Sequence, residues 1–105
     1  MKMKFGLKEQ TINKIIKVFQ SFPEIEQVIL YGSRAKGTNK HGSDIDLTIK
    51  GKNLNLQLIN KINLELDDLL LPYTFDVSIY NQIDNSDLLE HIKRVGKEFY
   101  HCGCH

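Results

Sequence analysis

Apolar residues recur along the chain with two different periods, and the switches between periods predict the elements. Over residues 8–21, Ile12, Ile15, Ile16 and Phe19 fall at i, i+3, i+4 and i+7, one stripe of an amphipathic helix. Lys14, Lys17 and Gln20 take its other face, and Pro23 follows its end, as suits a residue that cannot continue a helix. Residues 27–31 are nearly all apolar and β-branched or aromatic, the pattern of a strand covered on both faces. A second strand is expected over residues 43–50, where Ile45, Leu47 and Ile49 alternate with polar positions. Residues 54–70 carry a broad helical stripe of Leu58, Ile59, Ile62, Leu66, Leu69 and Leu70 that Pro72 closes. Residues 74–80 return to period two, with Phe75, Val77 and Ile79 on one face and Asp76 and Ser78 on the other. The last helix is expected over residues 86–95. Asn85 or Ser86 can cap it, Asp87 and Glu90 suit its first turn, and Lys93 and Arg94 its last. Leu88, Leu89, Ile92 and Val95 form its apolar stripe, and Gly96 suits the C-cap. Phe99 and Tyr100 then form a short strand or pack on the sheet.

Composition narrows the class without naming a chemistry. A chain of 105 residues, 41% hydrophobic and 26% charged, is expected to be one globular domain spanning residues 1–105, with residues 101–105 as a flexible tail. A net charge of +1 argues against a dedicated nucleic-acid binder, which carries a basic excess. No apolar run approaches the ~20 residues that span a bilayer. The basic N-terminus is not followed by the apolar segment of a secretory signal. A cytoplasmic location and no membrane association are therefore expected. Cys102 and Cys104 are too few and too close for a disulfide framework, which agrees with a reducing compartment.

The loop between the first two strands holds the candidate chemistry. Asp44 and Asp46 are two residues apart, so on a strand they share one face, about 6–7 Å apart. Two like charges on one face need an explanation. A solvated strand edge is the bland one, and Asp-x-Asp arises often by chance. A hard divalent cation is the sharper one, because Mg2+ takes carboxylate and phosphate oxygens. Upstream, Gly32 allows close backbone approach or a positive φ, and Ser33 offers a hydroxyl and a backbone N–H. A short helix through Arg34, Ala35 and Lys36 is expected to start there. With Arg34, Lys36 and Lys40 nearby, the loop suits a triphosphate as well as it suits a solvated polar turn. Asp76 is an acid in the middle of an otherwise apolar strand, so it faces either solvent or a site shared with its neighbours. His41, in the same loop, reads as an exposed histidine. Asp67 and Asp68 are adjacent on a helix, point about 100° apart and read as surface. His101, Cys102, Cys104 and His105 have the donor types of a Zn2+ or Cu+ site, but they lie in one terminal peptide.

Gly32-Ser33, a gap of ten residues, then Asp44-x-Asp46 resembles the signature of the DNA polymerase beta-like nucleotidyltransferase superfamily. The run Tyr-Gly-Ser-Arg-Ala-Lys-Gly at 31–37 in so short a chain is similar to the minimal nucleotidyltransferases, or MNT proteins, of prokaryotes. The resemblance implies an α/β (α+β) fold, a small mixed β-sheet with helices packed against it. It implies that Asp44, Asp46 and Asp76 are the catalytic and metal-holding carboxylates, with two Mg2+ ions as cofactors and ATP as substrate. It assigns Gly32, Ser33 and Arg34 to the nucleotide, with Arg34 neutralising the departing pyrophosphate. It implies transfer of NMP to a hydroxyl. The most favoured acceptor is a tyrosine of a small helical HEPN-type toxin, with this chain as the antitoxin in a homo- or hetero-oligomer. Two other readings stay open: an antitoxin that binds without turnover, and an enzyme acting on a small molecule of aminoglycoside type with a second subunit.

Overall fold

The computed structural model describes residues 3–40 and 42–102. The apolar segment after Pro23 becomes the strand on which the sheet is built. In chain order the elements are β1 (Met3–Lys4), β2 (Leu7–Lys8), α1 (Glu9–Gln20), β3 (Ile25–Tyr31), α2 (Ser33–Lys36) and β4 (Ile45–Gly51). There follow α3 (Leu56–Asp68), β5 (Phe75–Ile79), a single 3-10 turn at Tyr80–Gln82, α4 (Ser86–Val95) and β6 (Lys97–His101). The main sheet has the order β5-β4-β3-β6. β3 runs antiparallel to both β4 and β6, whereas β4 and β5 are parallel. The sheet is therefore mixed, and the fold is the expected α/β arrangement. The parallel pair needs a crossover, and α3 supplies it.

Period two divides this sheet into two unlike faces. On one face Val28, Leu30, Ile45, Leu47 and Ile49 are completely buried. They join one core with Ile15 and Phe19 of α1 and Leu58, Ile59, Ile62 and Leu66 of α3. Burial of each such side chain stabilises the fold by roughly 1.5–3 kcal/mol. The other face carries the cross-strand rows Tyr31–Asp46–Asp76 and Ile29–Thr48–Ser78. On this face α4 packs against β3, with Ile92 the buried residue of its stripe, and the Tyr80 ring of the 3-10 turn lies 4.4 Å from the Lys50 ammonium. Thr48 and Tyr31 on this face are buried as well, whereas Asp46 is half-buried and Asp76 exposed, so the carboxylate end is its open part.

Several local expectations change. The strand that carries the acids starts at Ile45 rather than Ser43, so Asp44 is the residue just before β4. Gly96 is the C-cap of α4 as expected, in an extended conformation with φ −60° and ψ 142°. It is glycine because a Cβ there would collide with the Ile92 carbonyl oxygen and lie 2.8 Å from Ile29 Cγ2, where α4 closes onto β3. Asn85 caps α4, its Oδ1 accepting from the N–H groups of Asp87 and Leu88. β6 extends to His101, a longer final strand than the Phe99–Tyr100 pair implied. The β1–β2 hairpin has no counterpart in the sequence reading. It turns at Phe5 and Gly6, both with positive φ, and buries Leu7 fully.

Candidate functional site

The end of β3 and the beginnings of β4 and β5 meet at the open end of this second face. Asp46 lies opposite Tyr31 in the antiparallel pair and opposite Asp76 in the parallel pair. Adjacent strands are about 4.8 Å apart, so the Asp46 and Asp76 side chains rise side by side from the same face. Asp44, two residues before Asp46, is exposed, as is Asp76, whereas Asp46 is half-buried. Burial pushes the Asp46 carboxyl above its ordinary pKa, and the charges of Asp76 and Asp44 push it further. Positive charge nearby, on the His91 ring whenever it is protonated and on the Arg34 guanidinium, draws it part of the way back. Burial likewise raises the Tyr31 phenol; its hydrogen bond with Ser78 opposes that, and the Asp76 and Asp46 charges add to it.

The turn after β3 is shaped by contacts that a larger residue would break. Gly32 has φ +78° and ψ −155°, a region essentially confined to glycine. A Cβ on it would collide with Asp46 Oδ2, so its lack of a side chain is what lets the turn sit against the carboxylate. Its N–H donates to Nε2 of His91 on α4, 3.1 Å away. Ser33 follows as the first residue of α2, half-buried, with its hydroxyl unengaged among the described residues.

Arg34 is engaged within the fold rather than facing the loop's solvent side. Its side chain is 3% exposed, and Nε and Nη2 both donate to the Ser43 carbonyl, at 3.2 and 2.8 Å. Nη1 donates to the Phe5 carbonyl at 2.9 Å, and the guanidinium lies 5.1 Å from the centre of the Tyr73 ring. A planar cation held on backbone carbonyls from two sides is a brace, not a free phosphate ligand. It ties the N-terminal hairpin to the residue before Asp44. Lys36 and Lys40 remain exposed cations of the loop.

Some candidates stay apart from this cluster or outside what is described. His41, Cys104 and His105 lie outside the described residues. His101 ends β6, and Cys102 is a free, half-buried thiol beyond it. Asp67 and Asp68 end α3, on a helix rather than on the strands that carry Asp46 and Asp76. His91 and Tyr31 are site residues that the sequence reading passed over. His91 had a signal: Leu88, His91, Ile92 and Val95 fall at i, i+3, i+4 and i+7, so a histidine sits on the apolar stripe of α4.

The donor set fits Mg2+ bound together with phosphate. Among the described residues no three His, Cys, Asp or Glu groups converge closely enough to hold a metal unaided. Mg2+ is ordinarily held by one or two carboxylates plus substrate phosphates and water rather than by a protein cage. Asp46 beside Asp76, with Asp44 adjacent, supplies hard, mutually repelling oxygens of that kind.

The comparisons with known proteins give the family and the fold. The model of the polymerase beta nucleotidyltransferase domain matches residues 13–102, and the chain belongs to that family. Among curated proteins, none matches the sequence. Solved structures of toxin–antitoxin complexes share the fold. One, a toxin–antitoxin with AMP-PNP, has a TM-score of 0.71 at 23% identity, over 88% of this chain and 74% of that one. Another is MntA–HepT, with a TM-score of 0.67 at 20% identity, over 90% and 74%. A third is a tri-AMPylated Shewanella oneidensis HEPN toxin with its MNT antitoxin, with a TM-score of 0.66 at 20% identity, over 90% and 72%.

Proposed function

We propose that this chain is a Mg2+-dependent protein adenylyltransferase that moves AMP from ATP to a tyrosine hydroxyl of a small helical HEPN-type toxin, and so acts as its antitoxin. The observation that carries the reading is the Asp46–Asp76 pair, in register on parallel strands, with Gly32 and Ser33 turned against Asp46. Support for the acceptor comes from the fold shared with the MNT partner of an AMPylated HEPN toxin.

Asp44, Asp46 and Asp76 are the residues that would hold Mg2+. When bound, Mg2+ would supply positive charge to the oxygens of the transferring phosphoryl group. Asp44 and Asp46 face the triphosphate. Ser33 offers its hydroxyl and backbone N–H to the β- and γ-phosphates. Asp76, exposed at the rim, accepts the proton of the attacking hydroxyl. The hydroxyl oxygen forms a bond to the α-phosphorus as the bond from that phosphorus to the bridging oxygen breaks. Pyrophosphate leaves with those electrons, so the products are the AMP ester and pyrophosphate. The need for ATP is consistent with a cytoplasmic location.

The test is incubation of the purified protein with ATP labelled at the α-phosphate, Mg2+ and a lysate of its source cells. Asp44→Asn/Asp46→Asn runs beside it. Label on one protein band, lost with the double variant, is the expected result. Label on a small molecule or on RNA would overturn the toxin as acceptor. Absence of label from every fraction, with nucleotide still bound, would leave a binding-only antitoxin.

A further inference from the structure

We propose that His91 is a positioning residue of the nucleotide site: its neutral imidazole holds the Gly32 turn in the shape that presents Ser33 to the phosphates. The inference rests on the nucleotidyl-transfer reading above and adds to it a residue from α4, outside the Gly-Ser and Asp-x-Asp segments. The Gly32 N–H leaves the sheet where β3 ends and donates to His91 Nε2 at 3.1 Å. An imidazole accepts only on an unprotonated nitrogen, so the bond requires the neutral ring with its proton on Nδ1. The ring is fixed a second time by Tyr31, which it meets edge to face with centroids 6.3 Å apart and planes at 81°. Tyr31 in turn stands in the cross-strand row with Asp46 and Asp76.

Gly32 has two neighbours that constrain it from opposite sides. Asp46 Oδ2 leaves no room for a side chain, and His91 takes the N–H. A φ of +78° with ψ −155° is one of many conformations open to a glycine, so the backbone alone does not fix the turn and its contacts must. Without an acceptor on α4, the N–H is released and the turn is free to swing away from Asp46, carrying Ser33 with it. The Gly32 N–H is therefore not a phosphate ligand in this arrangement. The groups left to meet phosphate are those from Ser33 onward.

Binding of Mg2+-ATP is measured by calorimetry on the wild type, His91→Phe and His91→Gln, with thermal unfolding of each. Phe keeps a flat ring against Tyr31 and removes the acceptor, whereas the Gln carbonyl can accept from Gly32. Loss of one organising hydrogen bond predicts about tenfold weaker binding for His91→Phe, with most of it recovered in His91→Gln. Wild-type affinity in His91→Phe overturns the inference while leaving the proposed function standing. So does weak binding in both variants that merely tracks a lower Tm. A wild type that binds neither ATP nor any other nucleoside triphosphate with Mg2+ overturns the proposed function and this inference with it. Should His91→Phe not fold, the wild type decides through its imidazole 15N and Gly32 amide resonances. An unprotonated Nε2, with both resonances moving on addition of Mg2+-ATP, is expected; a protonated Nε2, or resonances indifferent to nucleotide, contradicts the proposal.

Discussion

β4 has two sides that obey opposite rules. Ile45, Leu47 and Ile49 point into a core shared with α1 and α3 and are wholly buried. Asp46, from between them, points toward a second acid on the next strand and is pushed toward its neutral form by burial and by like charge. One side of the strand supplies stability through many redundant contacts. The other stores like-charge repulsion that a divalent cation would relieve. The contrast teaches that this sheet is a scaffold whose apolar face keeps the repelling carboxylates in place. Neither face could be exchanged for the other by a one-residue slip, because such a slip would put Asp46 in the core.

The sharpest way to break the comparison is to change one face and leave the other. Asp46→Asn keeps the shape and removes the charge; nucleotidyl transfer is expected to fall by about 10²–10³-fold or more, read as label transferred per minute, with circular dichroism unchanged. Leu47→Ala, one residue away, should do the reverse. It is expected to cost ~2–5 kcal/mol of unfolding free energy in a urea titration while the remaining folded protein still binds Mg2+-ATP. Arg34→Ala should resemble Leu47→Ala more than Asp46→Asn, because the guanidinium is spent on the Ser43 and Phe5 carbonyls. Leaving those acceptors without their charged donor predicts a loss of about 1–3 kcal/mol, with Arg34→Lys unable to restore the two-sided contact.

The smallest expected effect is also the most diagnostic of stored repulsion. The Asp46 carboxyl is raised in the folded state, so folding is favoured by its protonation. That contribution is fully present below the unfolded-state pKa and is lost as pH rises through the raised folded-state value. Above that value the charged Asp46 opposes folding. Asp46→Asn should therefore raise Tm at neutral pH, by ~2–4 °C if the relieved like-charge contact is worth about 0.5 kcal/mol. The gain should shrink as pH is lowered through the acid range.

Much of the apolar face was legible because it depends on local periodicity. The stripe of α1, the Leu58–Ile59–Ile62–Leu66 part of that of α3 and the alternation in β5 follow from spacing alone, and α4 runs over Ser86–Val95 as its cap and stripe predict. α3, however, ends at Asp68, and Leu70, expected on its stripe, is exposed with a positive φ. The acids of the other face were legible as types and spacing, and Asp76 as an acid on a strand. Their meeting was not, because the register that sets Asp76 opposite Asp46 is a long-range pairing across the α3 crossover. The engagement of Arg34 was hidden for a related reason. A cation in a loop looks solvent-facing until the carbonyl of Phe5, from a hairpin the sequence did not announce, is seen to sit on it. His91 was overlooked because a histidine on a helical stripe passes for packing until its nitrogen is found against a strand end.

Thermal melting of the wild type and Asp46→Asn, each with and without Mg2+-ATP, tests most directly that the open end of the second face is the nucleotide site. The account predicts that Asp46→Asn melts higher than the wild type without ligand. It also predicts that Mg2+-ATP raises the wild-type Tm and leaves the variant unmoved. Equal ligand-induced shifts in both proteins would contradict it, because nucleotide would then bind somewhere the carboxylate row does not reach.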